Sequence, residues 1–306
     1  MTRALLERYR DVLPLSDSTP IVTLGEGSTP LVRADRLSRR LGLELWLKWE
    51  GANPTGSFKD RGMAVALSKA LEAGAHGVVC ASTGNTAASA AAYAARAGIE
   101  AVIVHPAGAV AKSKLVQVRA AGARLVEVEG SFGDAFAAAL ELAERESYTF
   151  VNSTNPHRIE GQKTAAFEIL EDLGRAPDVF VLPYGGGGNT TAYAKGFLEA
   201  SDTLPRLVPV EAENRRETFA SAIRIAEPVH RAEVEEAVAR FGGGVVSVSE
   251  DEIRSAWQTL ARDEGLFCEP ASAASVAGVI GGAAGLGELV VCVLTGHGLK
   301  DPDAVE

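Results

Sequence analysis

The chain has 306 residues, of which 46% are hydrophobic, and it carries a formal net charge of −10. This length and composition can bury the core of one large or two modest domains. The acidic residues are spread along the chain and no basic run occurs, which argues against a nucleic acid as partner. No apolar run reaches the length of a membrane span, and the N-terminus becomes charged too early for a signal peptide.

The three cysteines show no metal-ligand spacing, and no metal site is predicted. Cys80 and Cys292 lie in apolar runs and are predicted to be buried thiols. Free thiols of this kind favour a reducing, cytoplasmic location.

Short apolar runs alternate with helical stretches along most of the chain. Alanine-rich amphipathic stretches, such as residues 86–97 and 135–145, are typical of helices. The alternation predicts parallel α/β sheets that are covered on both faces. In such sheets a ligand binds where strands end and helices begin, and four of these turns carry unusual residues. The runs predicted to be buried strands are 77–80, 101–104, 124–128, 179–182, 207–213 and 289–294.

The first of these turns is residues 53–62, NPTGSFKDRG, which places Lys59 at the start of a predicted helix. The helix dipole disfavours a positive charge there, so the pKa of the amine is expected to fall, as a Schiff-base lysine requires. The alternative is an exposed first-turn lysine on a helix that Ser57 caps. Asp60 and Arg61 are expected to be structural, pairing with neighbouring backbone or charged groups.

Small polar residues fill the second turn, residues 81–89, ASTGNTAAS. Hydroxyl and backbone N–H groups at a helix start bind anions, so Ser82, Thr83 and Thr86 are candidates to bind a substrate carboxylate. The amide of Asn85 suits a phenolic oxygen on a cofactor ring, because it donates a hydrogen bond without adding charge. The alternative is an ordinary N-cap, in which Thr83 or Asn85 satisfies only its own helix.

The third turn contains consecutive glycines followed by an asparagine: Gly185, Gly186, Gly187, Gly188 and Asn189. Their N–H groups can form a nest around a phosphate. A dinucleotide-binding turn is also glycine-rich, but the G-x-G-x-x-G spacing fails here at its sixth position, which is Thr190.

The fourth turn follows the last strong strand and begins with Thr295. A threonine hydroxyl can reach the pyridine nitrogen of a ring cofactor, but it cannot keep that nitrogen protonated as an aspartate would. The ring is then a milder electron sink, which favours elimination and replacement over transamination. The alternative is a threonine that satisfies a strand-end carbonyl. His297 is expected to be structural, because no second metal ligand lies near it in the sequence.

These turns resemble the cofactor segments of the fold type II (β-family) pyridoxal-phosphate enzymes, and within that group the chain most resembles the threonine synthase family. The resemblance runs from about residue 24 to residue 302. The segments that carry it are residues 25–31, 56–62, 152–164, 269–275 and 295–301.

The resemblance implies an α/β fold of two parallel-sheet three-layer domains, with the tryptophan synthase β-subunit-like architecture. Residues 1–59 plus 149–306 would form the large domain that binds pyridoxal phosphate. Residues 60–148 would form a smaller mobile domain that closes over the substrate. Members of the family are commonly homodimers, so a homodimer is expected.

The resemblance also implies roles for the residues of the four turns. Lys59, with Phe58 beside it, would hold pyridoxal phosphate as a Schiff base and later act as the proton shuttle. The glycine turn with Asn189 would hold the cofactor phosphate, while Asn85 and Thr295 would face the ring oxygen and the ring nitrogen.

The family reaction converts O-phospho-L-homoserine and water to L-threonine and phosphate. The phosphate of the substrate is assigned to Asn152, Ser153, Asn155 and Arg158, which follow a predicted strand and lead into a helix expected to start near residue 159. The alternative for Arg158 is a structural ion pair with a carboxylate such as that of Glu160. Lys163, about one turn further on, either faces this site or is solvated.

The chain departs from the family after the strand at residues 207–213, where roughly a dozen residues of a surface loop are missing. Two rival functions stay open. One is a serine or threonine dehydratase-like lyase on the same fold, which needs no site for a substrate phosphate. The other is a catalytically silent relative that binds pyridoxal phosphate.

Overall fold

The computed structural model describes residues 4–108, 115–282 and 287–305. The chain divides into two compact units, which we name after their sheets. The four-stranded unit comprises Met1–Gly27 and Asn53–Gln162, and the six-stranded unit comprises Ser28–Ala52 and Lys163–Glu306. Within the described ranges, no helix has both the length and the apolar character needed to cross a membrane.

Strands and helices alternate along the described chain, as the apolar pattern predicts. The strands are β1 (Leu31–Arg33), β2 (Glu44–Trp49), β3 (Gly77–Ala81), β4 (Glu100–Pro106), β5 (Arg124–Val128), β6 (Thr149–Phe150), β7 (Val179–Pro183), β8 (Arg206–Ala212), β9 (Val246–Val248) and β10 (Leu289–Leu294). The helices are α1 (Leu5–Arg8), α2 (Asp35–Leu41), α3 (Lys59–Glu72), α4 (Asn85–Ala97), α5 (Val116–Ala120), α6 (Phe132–Glu146), α7 (Pro156–Leu173), α8 (Gly188–Ala200), α9 (Arg231–Arg240), α10 (Glu250–Asp263) and α11 (Pro270–Ile280).

The sheet of the four-stranded unit has the order β5-β4-β3-β6, and every neighbouring pair is parallel. All five residues of β3 are buried, as expected for a parallel strand with cover on both faces. Val79 and Val102 on the strands pack in one core with Ala135 and Ala139 of α6. The strands predicted at 77–80, 101–104 and 124–128 and the helices predicted at 86–97 and 135–145 are confirmed to within three residues at their ends.

The sheet of the six-stranded unit has the order β1-β2-β10-β7-β8-β9. Only the β1–β2 pair is antiparallel among the described pairs. The central strand β10 sends alternate side chains into two different cores: Val290 and Cys292 into one, Val291 and Val293 into the other. Both faces of this sheet are therefore covered, and the predicted α/β fold with parallel sheets is confirmed. Cys80 and Cys292 are buried free thiols, as predicted.

The division into units differs from the predicted one, in which residues 1–59 joined 149–306 and residues 60–148 stood alone. In the structure β6 pairs with β3, so residues 149–162 belong to the four-stranded unit. Lys59 is the first residue of α3 and lies in that unit as well. The predicted boundaries followed the resemblance, whereas the observed ones follow strand pairing and helix continuity.

Candidate active site

Lys59 lies at the N-terminus of α3 and is half-buried. Its Nζ atom lies 4.2 Å from the centroid of the Phe58 ring. The N-cap residue is Phe58, and within the described part of the chain no side-chain hydrogen bond caps the helix. The Ser57 hydroxyl is buried without a hydrogen-bond partner among the described residues. The alternative in which Ser57 caps an exposed first-turn lysine is therefore wrong.

The carboxylate of Asp60 is completely buried and accepts hydrogen bonds from two neighbouring segments. The backbone N–H of Thr55 donates to Oδ2 at 2.7 Å, and the Thr55 hydroxyl donates to Oδ1 at 2.6 Å. The hydroxyl of Ser89, on α4, also donates to Oδ1 at 2.7 Å. The structural role predicted for Asp60 is confirmed, because it fastens the turn before Lys59 to α4.

Two glycines of the segments that carry the family resemblance let α3 and α7 approach each other. A Cβ atom on Gly161 would lie 2.0 Å from the carbonyl oxygen of Arg61. A Cβ atom on Gly62 would lie 2.6 Å from the carbonyl oxygen of Arg158. Real Cβ contacts do not reach such distances, so these glycines serve backbone packing.

The polar segment that follows β3 is half-exposed: Ser82 and Thr83 lie in the connection, and Asn85 and Thr86 are the first residues of α4. The N-cap residue of α4 is Gly84, which has no side chain to offer to the first turn. The alternative of an ordinary cap by Thr83 or Asn85 is therefore wrong. The first N–H groups of such a helix point out of its end and suit an anion.

Asn152 and Asn155 use their amide groups on the backbone. Asn152 accepts from the N–H of Ala81 and donates to the carbonyl oxygen of the same residue, both at 2.8 Å. Asn155 donates to the carbonyl oxygen of Phe150 at 3.0 Å and accepts from the N–H of His157 at 3.0 Å. Sequence reasoning did not anticipate these bonds, which shape the loop between β6 and α7.

Helix α7 begins at Pro156, three residues before the predicted start. A proline is favourable in a first turn, and the Asn155 side chain accepts from the N–H of His157, so the helix can start early. Lys163 is not solvated, because its side chain is buried in the six-stranded unit and its Nζ atom pairs with Glu199 at 2.7 Å.

Arg158 is 1% exposed and stays within the four-stranded unit. Its Nη1 atom donates to the carbonyl oxygen of Val151 at 3.3 Å, and its Nε atom has no hydrogen-bond partner among the residues that the structure describes. Burial lowers the pKa of Arg158 to about 10, so the guanidinium remains charged at neutral pH. No carboxylate among the described residues pairs with it, and the alternative ion pair with Glu160 is wrong.

The glycine turn joins β7 to α8 in the six-stranded unit. The carbonyl oxygen of Gly185 accepts from Nη1 of Arg215 at 3.2 Å, and that of Gly186 accepts from the N–H of His230 at 3.0 Å. The described peptide bonds are trans, so each N–H points opposite to the carbonyl of its own peptide unit. The N–H of Gly186 therefore points away from Arg215, and the N–H of Gly187 points away from His230.

The end of this turn has no space for a side chain. Nearby, buried polar atoms of α8 lack hydrogen-bond partners among the described residues. Gly187 has a φ of +92°, and a Cβ atom there would lie 2.9 Å from Val234. Both amide atoms of Asn189 and the hydroxyl of Thr190 are buried without a hydrogen-bond partner among the described residues. Such groups are rare in folded proteins and mark a place where a polar ligand can bind.

Thr295 follows β10 and is 5% exposed. Its hydroxyl donates to Oε1 of Glu269 at 3.2 Å and lies 3.1 Å from Oγ of Ser272. The alternative in which Thr295 satisfies a strand-end carbonyl is therefore wrong. Sequence reasoning missed Glu269 as a partner; its position beside the proline that opens α11 was the available signal. The structural role predicted for His297 is confirmed, because its Nδ1 accepts from the N–H of Leu299.

Comparison with known proteins identifies relatives over nearly the whole chain. The sequence model of a family described as "Pyridoxal-phosphate dependent enzyme" matches residues 22–296. A threonine synthase from Halalkalibacterium halodurans is 48% identical over 320 aligned residues, which cover 98% of this chain and 90% of the relative. A threonine synthase from Methanocaldococcus jannaschii is 44% identical over 327 residues, covering 97% of this chain and 81% of the relative. Both alignments are longer than this chain, so the relatives contain residues that it lacks.

Solved structures agree with this relationship. The processed form of threonine deaminase isoform 2 from Solanum lycopersicum superposes with a TM-score of 0.78 and 27% identity. The superposition covers 88% of this chain and 83% of that one. The predicted fold type II architecture and the pyridoxal phosphate cofactor are thereby confirmed. The chain belongs to the pyridoxal-phosphate-dependent enzymes and, within them, to the threonine synthase family.

Proposed function

We propose that this protein converts O-phospho-L-homoserine and water to L-threonine and phosphate. The observation that carries the proposal is 48% identity to a threonine synthase over 98% of the chain. Identity to a threonine deaminase with the same fold is 27%, which makes the dehydratase-like alternative the weaker one.

The residues of the chain fit the cofactor. The glycine turn directs N–H groups away from the residues that hold its carbonyls, and the unsatisfied atoms of Asn189 and Thr190 lie next to it. We assign the phosphate of the cofactor to Gly185–Gly188 with Asn189. Bound pyridoxal phosphate supplies an electron sink for negative charge that develops on an attached amino acid.

We assign Lys59 as the residue whose amine would bind the aldehyde carbon of the cofactor. The Phe58 ring lies against this amine. With substrate bound to the cofactor, the Nζ atom of Lys59 would accept the proton from Cα and would transfer the proton at Cβ. The buried anchor at Asp60 supports this role, because it fixes the backbone next to the amine.

The loop at the start of α4 is assigned to the carboxylate of the substrate, through Ser82, Thr83 and Thr86. Asn85 is assigned to the ring oxygen of the cofactor. The first-turn N–H groups of α4 support the assignment to the carboxylate, because Gly84 supplies no side chain to cap them.

Thr295 is assigned to the ring nitrogen of the cofactor. A threonine hydroxyl can donate only one hydrogen bond, and in this structure it donates that bond to Oε1 of Glu269. To donate a hydrogen bond to the ring nitrogen, the Thr295 hydroxyl must rotate its proton away from Glu269. If the proton stays directed at Glu269, the hydroxyl can only accept a hydrogen bond, and the ring nitrogen must then be protonated.

The phosphate of the substrate is assigned to Arg158 with Ser153, Asn152 and Asn155. The charge of Arg158 supports this assignment, because no carboxylate among the described residues neutralises it. The two asparagines contribute mainly by shaping the loop, since each already bonds the backbone through both amide atoms.

One assay separates the proposal from its two rivals. Phosphate and L-threonine are measured together after addition of O-phospho-L-homoserine, and equal amounts of both are expected. A dehydratase-like lyase would instead form a 2-oxo acid from serine or threonine and leave phosphohomoserine unchanged. A silent relative would bind the cofactor and turn over neither substrate.

Covalent trapping tests the lysine. Borohydride reduction of the holoenzyme should leave the cofactor on the peptide that contains Lys59, as identified by mass spectrometry. Lys59→Ala should lose turnover by several orders of magnitude. Label on another lysine, such as the buried Lys48, would refute the assignment. The homodimer, the cytoplasmic location and the closure of residues 60–148 stay predictions.

A further inference from the structure

The guanidinium group of Arg215 binds the glycine turn, a contact that the sequence analysis did not predict. Its Nη1 atom donates to the carbonyl oxygens of Gly185 at 3.2 Å and Ile225 at 3.1 Å. Its guanidinium carbon lies 4.3 Å from the centroid of the Tyr184 ring. Arg215 lies just beyond β8, where the sequence analysis expects a surface loop to be shortened.

Glu211 holds the other side of the guanidinium. The Nε atom of Arg215 donates to Oε2 of Glu211 at 2.5 Å, and Nη2 contacts the same oxygen. The second carboxylate oxygen of Glu211 accepts from the hydroxyl of Ser247 at 3.1 Å. Arg215 is thus fixed by β8 and β9 on one side while it binds the glycine turn on the other.

The direction of the Gly185 carbonyl decides where the next N–H points. In a trans peptide the two groups point in opposite directions, so a donor that holds the carbonyl of Gly185 turns the N–H of Gly186 away from itself. The N–H of His230 does the same for the following peptide by binding the carbonyl of Gly186. Without Arg215, the first of these peptides can rotate, because glycine resists rotation least of all residues.

We propose that Arg215 is a positioning residue that sets the affinity for the cofactor phosphate without touching it. It holds the Gly185–Gly186 peptide so that the N–H of Gly186 faces the anion. This inference rests on the proposed assignment of the phosphate to the glycine turn. If the loop after Glu213 is shortened as the sequence analysis expects, the residues that remain there still supply the group that holds the turn.

The test compares two forms of the cofactor. The cofactor is removed from the full-length protein, and dissociation constants are measured for pyridoxal phosphate and for pyridoxal, which lacks the phosphate. Arg215→Gln should raise the constant for pyridoxal phosphate about tenfold or more, where each factor of ten is about 1.4 kcal/mol. The constant for pyridoxal should change less than about twofold, because pyridoxal does not use the turn.

Arg216→Gln is the matched control, because it removes the same charge from an exposed neighbour. It should change neither constant. Arg215→Lys should give an intermediate loss, since an ammonium group cannot replace the fork that spans Gly185, Ile225 and Glu211. If Arg215→Gln does not fold, Arg215→Lys and Glu211→Gln carry the test with the same selective loss expected.

Equal loss of affinity for both compounds in the Arg215 variants, or no loss for either, would overturn the inference. Gly186→Asp shows separately whether the premise holds, because it adds a charge where a Cβ atom has room, 3.5 Å from Ile225. Unchanged affinity for pyridoxal phosphate in Gly186→Asp would remove the phosphate assignment itself. If Gly186→Asp loses affinity for pyridoxal phosphate and Arg215→Gln does not, only the role proposed for Arg215 is refuted.

Discussion

The hydroxyl of Ser89 donates to the carboxylate of Asp60 at 2.7 Å, and both side chains are fully buried. Asp60 follows Lys59 at the start of α3, and Ser89 lies four residues after Asn85 on α4. One hydrogen bond therefore joins the helix that presents the lysine to the helix whose first turn is assigned to the substrate carboxylate.

Loss of this bond should lower stability in a graded way. Ser89→Ala removes one donor and should cost about 1 kcal/mol in the free energy of unfolding. Asp60→Asn should cost more, about 2–3 kcal/mol, because its amide would face donors from Thr55 and Ser89. Urea unfolding measures both, with Ser255→Ala on the exposed face of α10 as a control that should be neutral or slightly stabilising. Equal stability of all three variants would contradict this account of Asp60.

Gly187 and Gly186 should respond very differently to alanine. Gly187 has a φ of +92°, and a Cβ atom there would lie 2.9 Å from Val234 and 3.0 Å from His230. Gly187→Ala should therefore lower the stability of the cofactor-free protein by about 1–3 kcal/mol. Gly186→Ala has room and should change it by less than about 0.5 kcal/mol. Thermal unfolding without cofactor checks this, and similar melting temperatures for the two variants would refute it.

Arg158→Met should separate stability from function. The substitution removes a buried charge that no carboxylate among the described residues neutralises. Its cost is one hydrogen bond to Val151, so stability should stay within about 1 kcal/mol of the native value or rise. If Arg158 binds the phosphate of the substrate, kcat/KM for O-phospho-L-homoserine should fall by roughly two orders of magnitude.

Deamination of serine or threonine provides the control for Arg158, because those substrates carry no phosphate. That side activity should fall far less than the main one. A large loss of stability, with both activities falling equally, would identify Arg158 as a structural residue that holds the end of β6 through Val151.

Thr295→Ala should retain the cofactor and slow turnover by about tenfold or more, because it removes a positioned hydroxyl from the ring nitrogen. Thr295→Ser keeps the hydroxyl and its reach to Glu269, so it should restore most of kcat. Steady-state rates at saturating substrate, with cofactor affinity measured in parallel, decide the matter. If Thr295→Ser were as slow as Thr295→Ala, the hydroxyl would not be the active group.

The architecture could be predicted because it depends on short-range patterns. Fully apolar runs such as those of β3 and β10 are typical of parallel strands covered on both faces, and the polar turns follow them directly. Contacts made at a distance could not be predicted in this way. The bond of Asn152 to Ala81 and that of Arg215 to Gly185 each join residues dozens of positions apart. An amide or guanidinium suits a ligand and a backbone group equally well, so residue type alone does not choose between them.

The backbone contact of α3 with α7 limits how these two segments can change during evolution. The nearest obstacle that a Cβ atom would meet at Gly62, and likewise at Gly161, is a carbonyl oxygen, which every amino acid carries. No compensating substitution on the opposite helix can therefore relieve the overlap. We expect the lysine segment and the segment around Arg158 to be inherited as a pair, so that a lineage that abandons phosphorylated substrates should still retain both glycines.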